Sequence, residues 1–158
     1  MARIVAFANQ KGGVAKTTSA ISVAAALVEA GERVLLVDLD AQGCATFSLG
    51  LDSEDLPATI ADAVLGSQSV RSLIVATDDG IDLLPAAGSL FAADHALATQ
   101  PGREFAVRDA LSPVRDAYDW IVVDCSPSLG ILTIGALAAA DFVVIPLQCE
   151  TLSHRGLG

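Results

Sequence analysis

Lysine is nearly missing from this chain. Nine residues of 158 are basic, and only Lys11 and Lys16 are lysines; the other seven are arginines. Paired cysteines are missing too. Cys44, Cys125 and Cys149 show no paired or CxxC spacing, so neither a disulfide framework nor a zinc ribbon is expected, and the three read as free thiols. No apolar run reaches the length of a membrane span. No GxGxxG follows the first apolar run, which argues against a dinucleotide-dependent dehydrogenase. His95 and His154 stand alone, without partner spacing, and receive no role. Positive charge is scarce: the net charge is −10 and the sequence pI is near 4.3. A surface this acidic repels nucleic-acid phosphates. No internal repeat or low-complexity tail is visible. The N-terminus opens directly into an apolar strand pattern, so a signal peptide is not expected and a cytoplasmic location is.

What is present is concentrated. With 53% hydrophobic residues, the chain can bury a real core as one domain. Both lysines lie in one run, KGGVAKTT at 11–18. Lysine is a compact charge on a flexible stem, and arginine a planar fork. A tight loop around phosphate oxygens needs the first shape. Residues 4–8, IVAFA, read as a strand buried on both faces. From Thr17 the pattern is helical, with Ile21, Ala24, Ala25, Leu27 and Val28 on one face and Gly31 as a stop. Strand, glycine loop, helix is the P-loop arrangement, whose backbone N–H groups and helix N-terminus face phosphate. Lys16 would reach the β- and γ-phosphates, and the Thr17 hydroxyl would ligate Mg²⁺. The strict GxxxxGK[ST] pattern fails at Gln10 and Ala15. Ala15 matters more. A positive φ there would strain the loop and cripple binding, whereas a negative φ makes the methyl group harmless.

Two further apolar runs end in acids. Val34 to Val37 leads to Asp38 and Asp40; Ile121 to Val123 leads to Asp124. Carboxylates at the C-terminal ends of parallel strands sit where doubly wound sheets bind ligands. Beside a P-loop they suit Mg²⁺ binding or the positioning of water, because phosphoryl transfer needs orientation and charge neutralisation.

Four ordered segments carry a family resemblance: KGGVAKTT at 11–18, LLVDLDAQG at 35–43, DWIVVDCSPSLG at 119–130 and DFVVIPLQCETLSHRG at 141–156. Together they resemble the ParA/MinD ATPases with a deviant Walker A motif, and are most similar to ParA (Soj-like) partitioning proteins. The resemblance runs from about Arg3 to the last residue. It implies a P-loop NTPase-like three-layer sandwich, a mainly parallel sheet with helices on both faces, forming one ATPase domain over 1–158 that is incomplete at its C-terminus. It implies ATP or ADP with Mg²⁺, held by Lys11, Gly12, Gly13, Val14, Ala15, Lys16, Thr17 and Thr18. Asp40 would orient the attacking water, with Lys11 and Lys16 as the other catalytic groups. Thr17, Asp38 and Asp124 would serve the metal.

Lys11 would reach across a homodimer to the partner's nucleotide. A ParB-like activator and slow hydrolysis timing the movement of DNA or another cargo follow from the same resemblance. In that family the adenine-recognising and basic DNA-binding parts lie beyond the point matching Gly158, so this acidic segment is not expected to bind DNA itself. Ser126 replaces a proline of the family's DxPPS loop, and Gly135 stands where many relatives carry asparagine. Two other readings are open: a nucleotide-binding regulatory or structural module without hydrolysis, and a MinD-like membrane-cycling ATPase. The latter needs a C-terminal amphipathic helix, which the sequence does not show.

Strands are expected at about 3–8, 34–38, 81–85, 120–124 and 142–147. Helices are expected near 17–30, 58–65, 103–117 and 130–140, with a further one starting near Thr151. The stretch 50–80 reads as loops around one short helix. An exposed sheet edge is expected where further strands would pair.

Overall fold

The computed structural model describes residues 1–148. Five parallel strands and one short antiparallel strand form a single sheet. In chain order they are β1 (Arg3–Phe7), β2 (Val34–Leu39), β3 (Val75–Ala76), β4 (Asp82–Leu84), β5 (Trp120–Cys125) and β6 (Phe142–Val144). Their order across the sheet is β3-β4-β2-β5-β1-β6, with only the β3–β4 pair antiparallel. The helices are α1 (Lys16–Glu29), α2 (Cys44–Ser48), α3 (Ile60–Val64), α4 (Ser89–Leu97), α5 (Ala106–Leu111) and α6 (Ile131–Ala139).

Alternation along each strand divides the core in two. Ile4, Ala6, Leu35, Val37, Ile121 and Val123 pack on one face, against α3, α4, α5 and α6. Val5, Phe7, Val34, Leu36 and Val122 pack on the other, against α1 and α2. Every residue of β2 is buried, as a strand with helices on both faces requires. This is the three-layer P-loop NTPase-like sandwich that the sequence implies.

Several elements depart from expectation. A short α2 follows β2, and α4 fills a stretch that carries no expected helix. Three of its nine residues are alanine, and no side chain caps its N-terminus, so it lacks the usual start signal. The helix expected over 103–117 is instead a 3₁₀ turn, the six-residue α5 and a second 3₁₀ turn containing Pro113. Proline has no N–H to continue an α-helical ladder. β6 stops at Val144, short of Pro146, for the same reason. The β3 edge strand was not expected at all. β6 forms the opposite edge, and its three residues are exposed, as the expected open edge requires. The helix expected near Thr151 lies outside the described residues, as do Cys149 and His154.

Gly135 sits inside α6 at a close approach to α5. A Cβ there would lie 3.0 Å from Val107 Cγ2 and 3.4 Å from Val107 Cβ. Glycine at this position lets the two helices pack closely.

Candidate functional site

The site forms at the C-terminal ends of β1, β2 and β5. Register places Phe7 beside Asp124, and Asp124 beside Asp38, across three neighbouring strands. The strand order therefore delivers the P-loop and two acids to one point.

The loop from Asn9 to Ala15 is held by its own polar groups. Asn9 is buried; its Oδ1 accepts from Lys11 N–H at 2.9 Å, and its Nδ2 donates to the Pro146 carbonyl at 2.9 Å. Gln148 Nε2 donates to the Gly13 carbonyl at 2.9 Å, and Lys11 Nζ lies 3.5 Å from Gln148 Oε1. The segment after β6 thus clasps the loop from outside. Lys16 is 8% exposed, and its Nζ folds back to donate to the Lys11 carbonyl at 3.2 Å. A lysine in that position needs only a rotation about its flexible stem to meet a phosphate lying in the loop.

Ala15 adopts φ 62° and ψ 33°, the one left-handed non-glycine residue among those described. This is the positive φ that the sequence reading feared. A left-handed L-residue costs roughly 1–2 kcal/mol. The methyl group is exposed, and Ser19 N–H donates to the Ala15 carbonyl at 2.9 Å to close the first turn of α1. No side chain caps α1, and its first turn carries no acid. Its leading N–H groups are left for an anion.

Asp124 is the least satisfied group in the site. It is 0% exposed, and neither carboxylate oxygen has a hydrogen-bond partner. Burial, then the charges of Asp38 and Asp40, push its pKa up to about 7; the nearby Thr17 hydroxyl and Lys16 pull it down. The Thr17 hydroxyl lies close enough to lower the Asp124 pKa as a hydrogen-bond donor, although its geometry falls short of a well-formed bond. A hydroxyl and an orphaned buried carboxylate, facing each other beside an open helix N-terminus, fit a hydrated Mg²⁺. Among the described residues, no group of three His, Cys, Asp or Glu side chains could hold a metal alone. Such an ion would need a hydroxyl, water and ligand oxygens to complete its shell.

Asp38 contrasts with Asp124 although both are fully buried. Its Oδ1 accepts from Asp40 N–H at 3.1 Å; its Oδ2 accepts from Thr46 N–H at 2.8 Å and from Thr46 Oγ1 at 2.7 Å. Burial raises its pKa and these bonds oppose the rise. Asp40 is half-buried, and its Oδ1 accepts from Gln42 N–H at 3.0 Å. It lines a cleft of about 290 Å³ with Leu90, Phe91, Asp94, Ser126 and Ser128.

The loop after β5 is shaped by hydroxyls. Ser126 Oγ lies 2.8 Å from Ser128 Oγ and 3.4 Å from Thr133 Oγ1. Ser126 thus replaces the rigidity of a proline with hydrogen bonds. Asp94 of α4 reaches over and accepts from Leu132 N–H at 3.0 Å, capping α6. Cys125 is buried, and burial pushes its thiol up to about 12. Cys44 is exposed; partial burial, then Asp40, Asp38 and Asp124, raise its pKa also. Both thiols stay protonated and unreactive near neutral pH.

The structure brings together 11–18, Asp38, Asp40 and Asp124. The sequence reading missed Asn9, Thr46, Asp94 and Gln148. Only Asn9 had a local signal, as a turn-forming polar residue directly after the first strand.

A family model described as an AAA domain matches residues 2–158. The chromosome partitioning protein ParA of Myxococcus xanthus is 47% identical over 156 residues, covering 98% of this chain and 55% of that protein. The sporulation initiation inhibitor protein Soj of Bacillus subtilis is 44% identical over 158 residues, covering 99% of this chain and 62% of Soj. A Mycobacterium smegmatis structure described as cobyrinic acid a,c-diamide synthase, with bound ATP analog and magnesium, superposes with a TM-score of 0.97 at 51% identity, over 100% of this chain and 65% of that one. This chain thus spans between 55% and 65% of the length of these three relatives. With a P-loop, two strand-end acids and partitioning relatives matched along nearly its whole length, the chain belongs to the ParA-like family of P-loop ATPases.

Proposed function

We propose that this chain is the phosphate-handling part of a ParA-like ATPase. It binds ATP with Mg²⁺, hydrolyses it slowly, and acts as an ATP-dependent dimer in chromosome or plasmid partitioning or in cargo positioning. The observation that carries this reading is Asp124, a buried carboxylate without a partner, beside Thr17 and Lys16 at the uncapped start of α1. The ATP analog and magnesium bound to the Mycobacterium smegmatis relative support it.

In this reading Gly12 to Thr18 cradle the phosphates through backbone N–H groups. Lys16 Nζ leaves the Lys11 carbonyl for the β- and γ-phosphate oxygens. The Thr17 hydroxyl and, through water, Asp124 would hold Mg²⁺, which supplies charge neutralisation at the phosphates. Asp40 orients the attacking water from the edge of the cleft. Lys11 contributes its charge to the nucleotide of a second copy, as an arginine finger does in trans. A ParB-like activator and nonspecific DNA are the partners this reading assigns to the full-length protein, with DNA contacted outside this acidic segment.

Lys16→Ala is expected to abolish ATP binding in equilibrium titration with a fluorescent ATP analogue. Unchanged affinity would sink the assignment. A non-hydrolysing nucleotide-binding module is the second reading, favoured by the strained Ala15. Phosphate release by the purified chain, with and without DNA, separates the two.

A further inference from the structure

We infer that Thr46 is a positioning residue for Asp40, acting through Asp38; this rests on the proposed role of Asp40. The hydrogen-bond directions leave little freedom. Ala86 N–H, just after β4, donates to Thr46 Oγ1 at 2.9 Å. An amide can only donate, so the hydroxyl accepts there and its own proton goes elsewhere. The acceptor is Asp38 Oδ2, at 2.7 Å. Thr46 N–H adds a second bond to the same oxygen at 2.8 Å, which leaves Asp38 Oδ1 for the Asp40 N–H. Asp38 therefore spends its carboxylate on three donors of one loop. That engagement sets it apart from Asp124, whose two oxygens have no partner.

The loop between Asp40 and Thr46 is fastened at both ends. Gly43 closes it with φ 61°, its N–H donating to the Asp40 carbonyl at 2.9 Å. A Cβ at Gly43 would lie 3.3 Å from the Ala86 carbonyl, so the loop sits directly on the segment that Thr46 grips. Thr46 is 0% exposed and touches neither the P-loop nor the open start of α1 through any of these bonds. Its hydroxyl joins the segment after β4, Asp38 and the Asp40 backbone into one hydrogen-bonded unit. Asp40, which lines the cleft, takes its position from that unit.

Two measurements on Thr46→Val, Thr46→Ser and the parent chain test this. In steady-state ATP hydrolysis, the Val variant is expected to lose about tenfold in kcat, the size of one lost buried hydrogen bond, with KM for ATP unchanged. The Ser variant, which keeps the hydroxyl, is expected to restore kcat. Amide hydrogen exchange gives the readout that needs no turnover. Asp40 and Gln42 amides are expected to exchange about tenfold faster in the Val variant and at the parent rate in the Ser variant. Equal exchange at Asp40 and Gln42 in all three proteins overturns the inference, as does a Val variant in which kcat is unchanged or falls together with a rise in KM. A parent chain that does not hydrolyse ATP counts against the proposed function alone, and the exchange data still decide the role of Thr46. If the Val variant does not fold, Thr46→Cys, with a weaker donor in the same place, is expected to exchange faster than the parent at Asp40 and Gln42; parent-like exchange there overturns the inference.

Discussion

Asp124→Asn removes a buried charge that no hydrogen bond within the protein compensates. Asp124 is 0% exposed, and its carboxylate oxygens accept no hydrogen bond. Its pKa rises from 3.8 to about 7. The sign follows from proton counting. Between these two values the folded state holds a proton that the unfolded state has lost, so stability falls as pH rises, at about 1.4 kcal/mol per pH unit for one group. Over the whole window the cost approaches ~4 kcal/mol, an upper figure that relaxation and water penetration reduce to about 2–4 kcal/mol. Asparagine has the same shape and never ionises. Urea denaturation without Mg²⁺ or nucleotide, run from about pH 5.5 to pH 8.5, reads the difference directly. The Asn variant is expected to be more stable throughout, by about 2 kcal/mol or more at the alkaline end, with the gap narrowing toward acid. Asp38, also raised by burial, contributes its own slope to both proteins, and its repulsion with Asp124, which asparagine removes, adds to the gap. A variant less stable than the parent at about pH 8, or a gap independent of pH, would show that Asp124 is satisfied in the folded chain. The same variant is expected to lose Mg²⁺-dependent ATP hydrolysis.

Ala15→Gly relieves a left-handed residue at φ 62°. The strain of roughly 1–2 kcal/mol, less the extra freedom glycine gives the unfolded chain, leaves a gain of about 0.5–1 kcal/mol in urea or thermal unfolding. Nucleotide affinity should stay within about twofold, because the Ala15 methyl group is exposed and the first-turn bond from Ser19 involves only the backbone; a large gain in affinity would show that the strain falls on binding. Gly135→Asn places a Cβ 3.0 Å from Val107 Cγ2. It is expected to destabilise the chain by about 1–3 kcal/mol through overpacking, with no change at the phosphate site. Stability equal to the parent would mean that α5 shifts freely away from α6.

Much of the site was legible because its chemistry is local. A buried strand, a lysine-bearing glycine loop and a helix start occur in consecutive residues, and each acid ends an apolar run. That is enough to place the P-loop, Asp38, Asp40 and Asp124 at the C-terminal edge of one parallel sheet. Local patterning failed where tertiary packing decides. α4 forms without a capping signal because Leu90, Ala93 and Leu97 are buried against neighbouring elements. The β3 strand exists only because β4 offers an edge for Val75 and Ala76.

Which residues cluster at the C-terminal ends of the strands follows from short-range order, through lysine placement and strand-end acids. How each of them is bonded there follows from the tertiary structure alone. Asp38 and Asp124 look alike in sequence, each an acid at the end of an apolar strand, and they are register partners. One is saturated because Thr46 folds back under it and Ala86 orients that hydroxyl; the other faces Thr17 and Lys16 without a well-formed bond. The φ of Ala15 was likewise undecided, because a backbone angle depends on the bonds around the loop and not on the identity of one residue. Hydrogen-bond partners come from segments far apart in the chain, and no spacing rule reaches that distance.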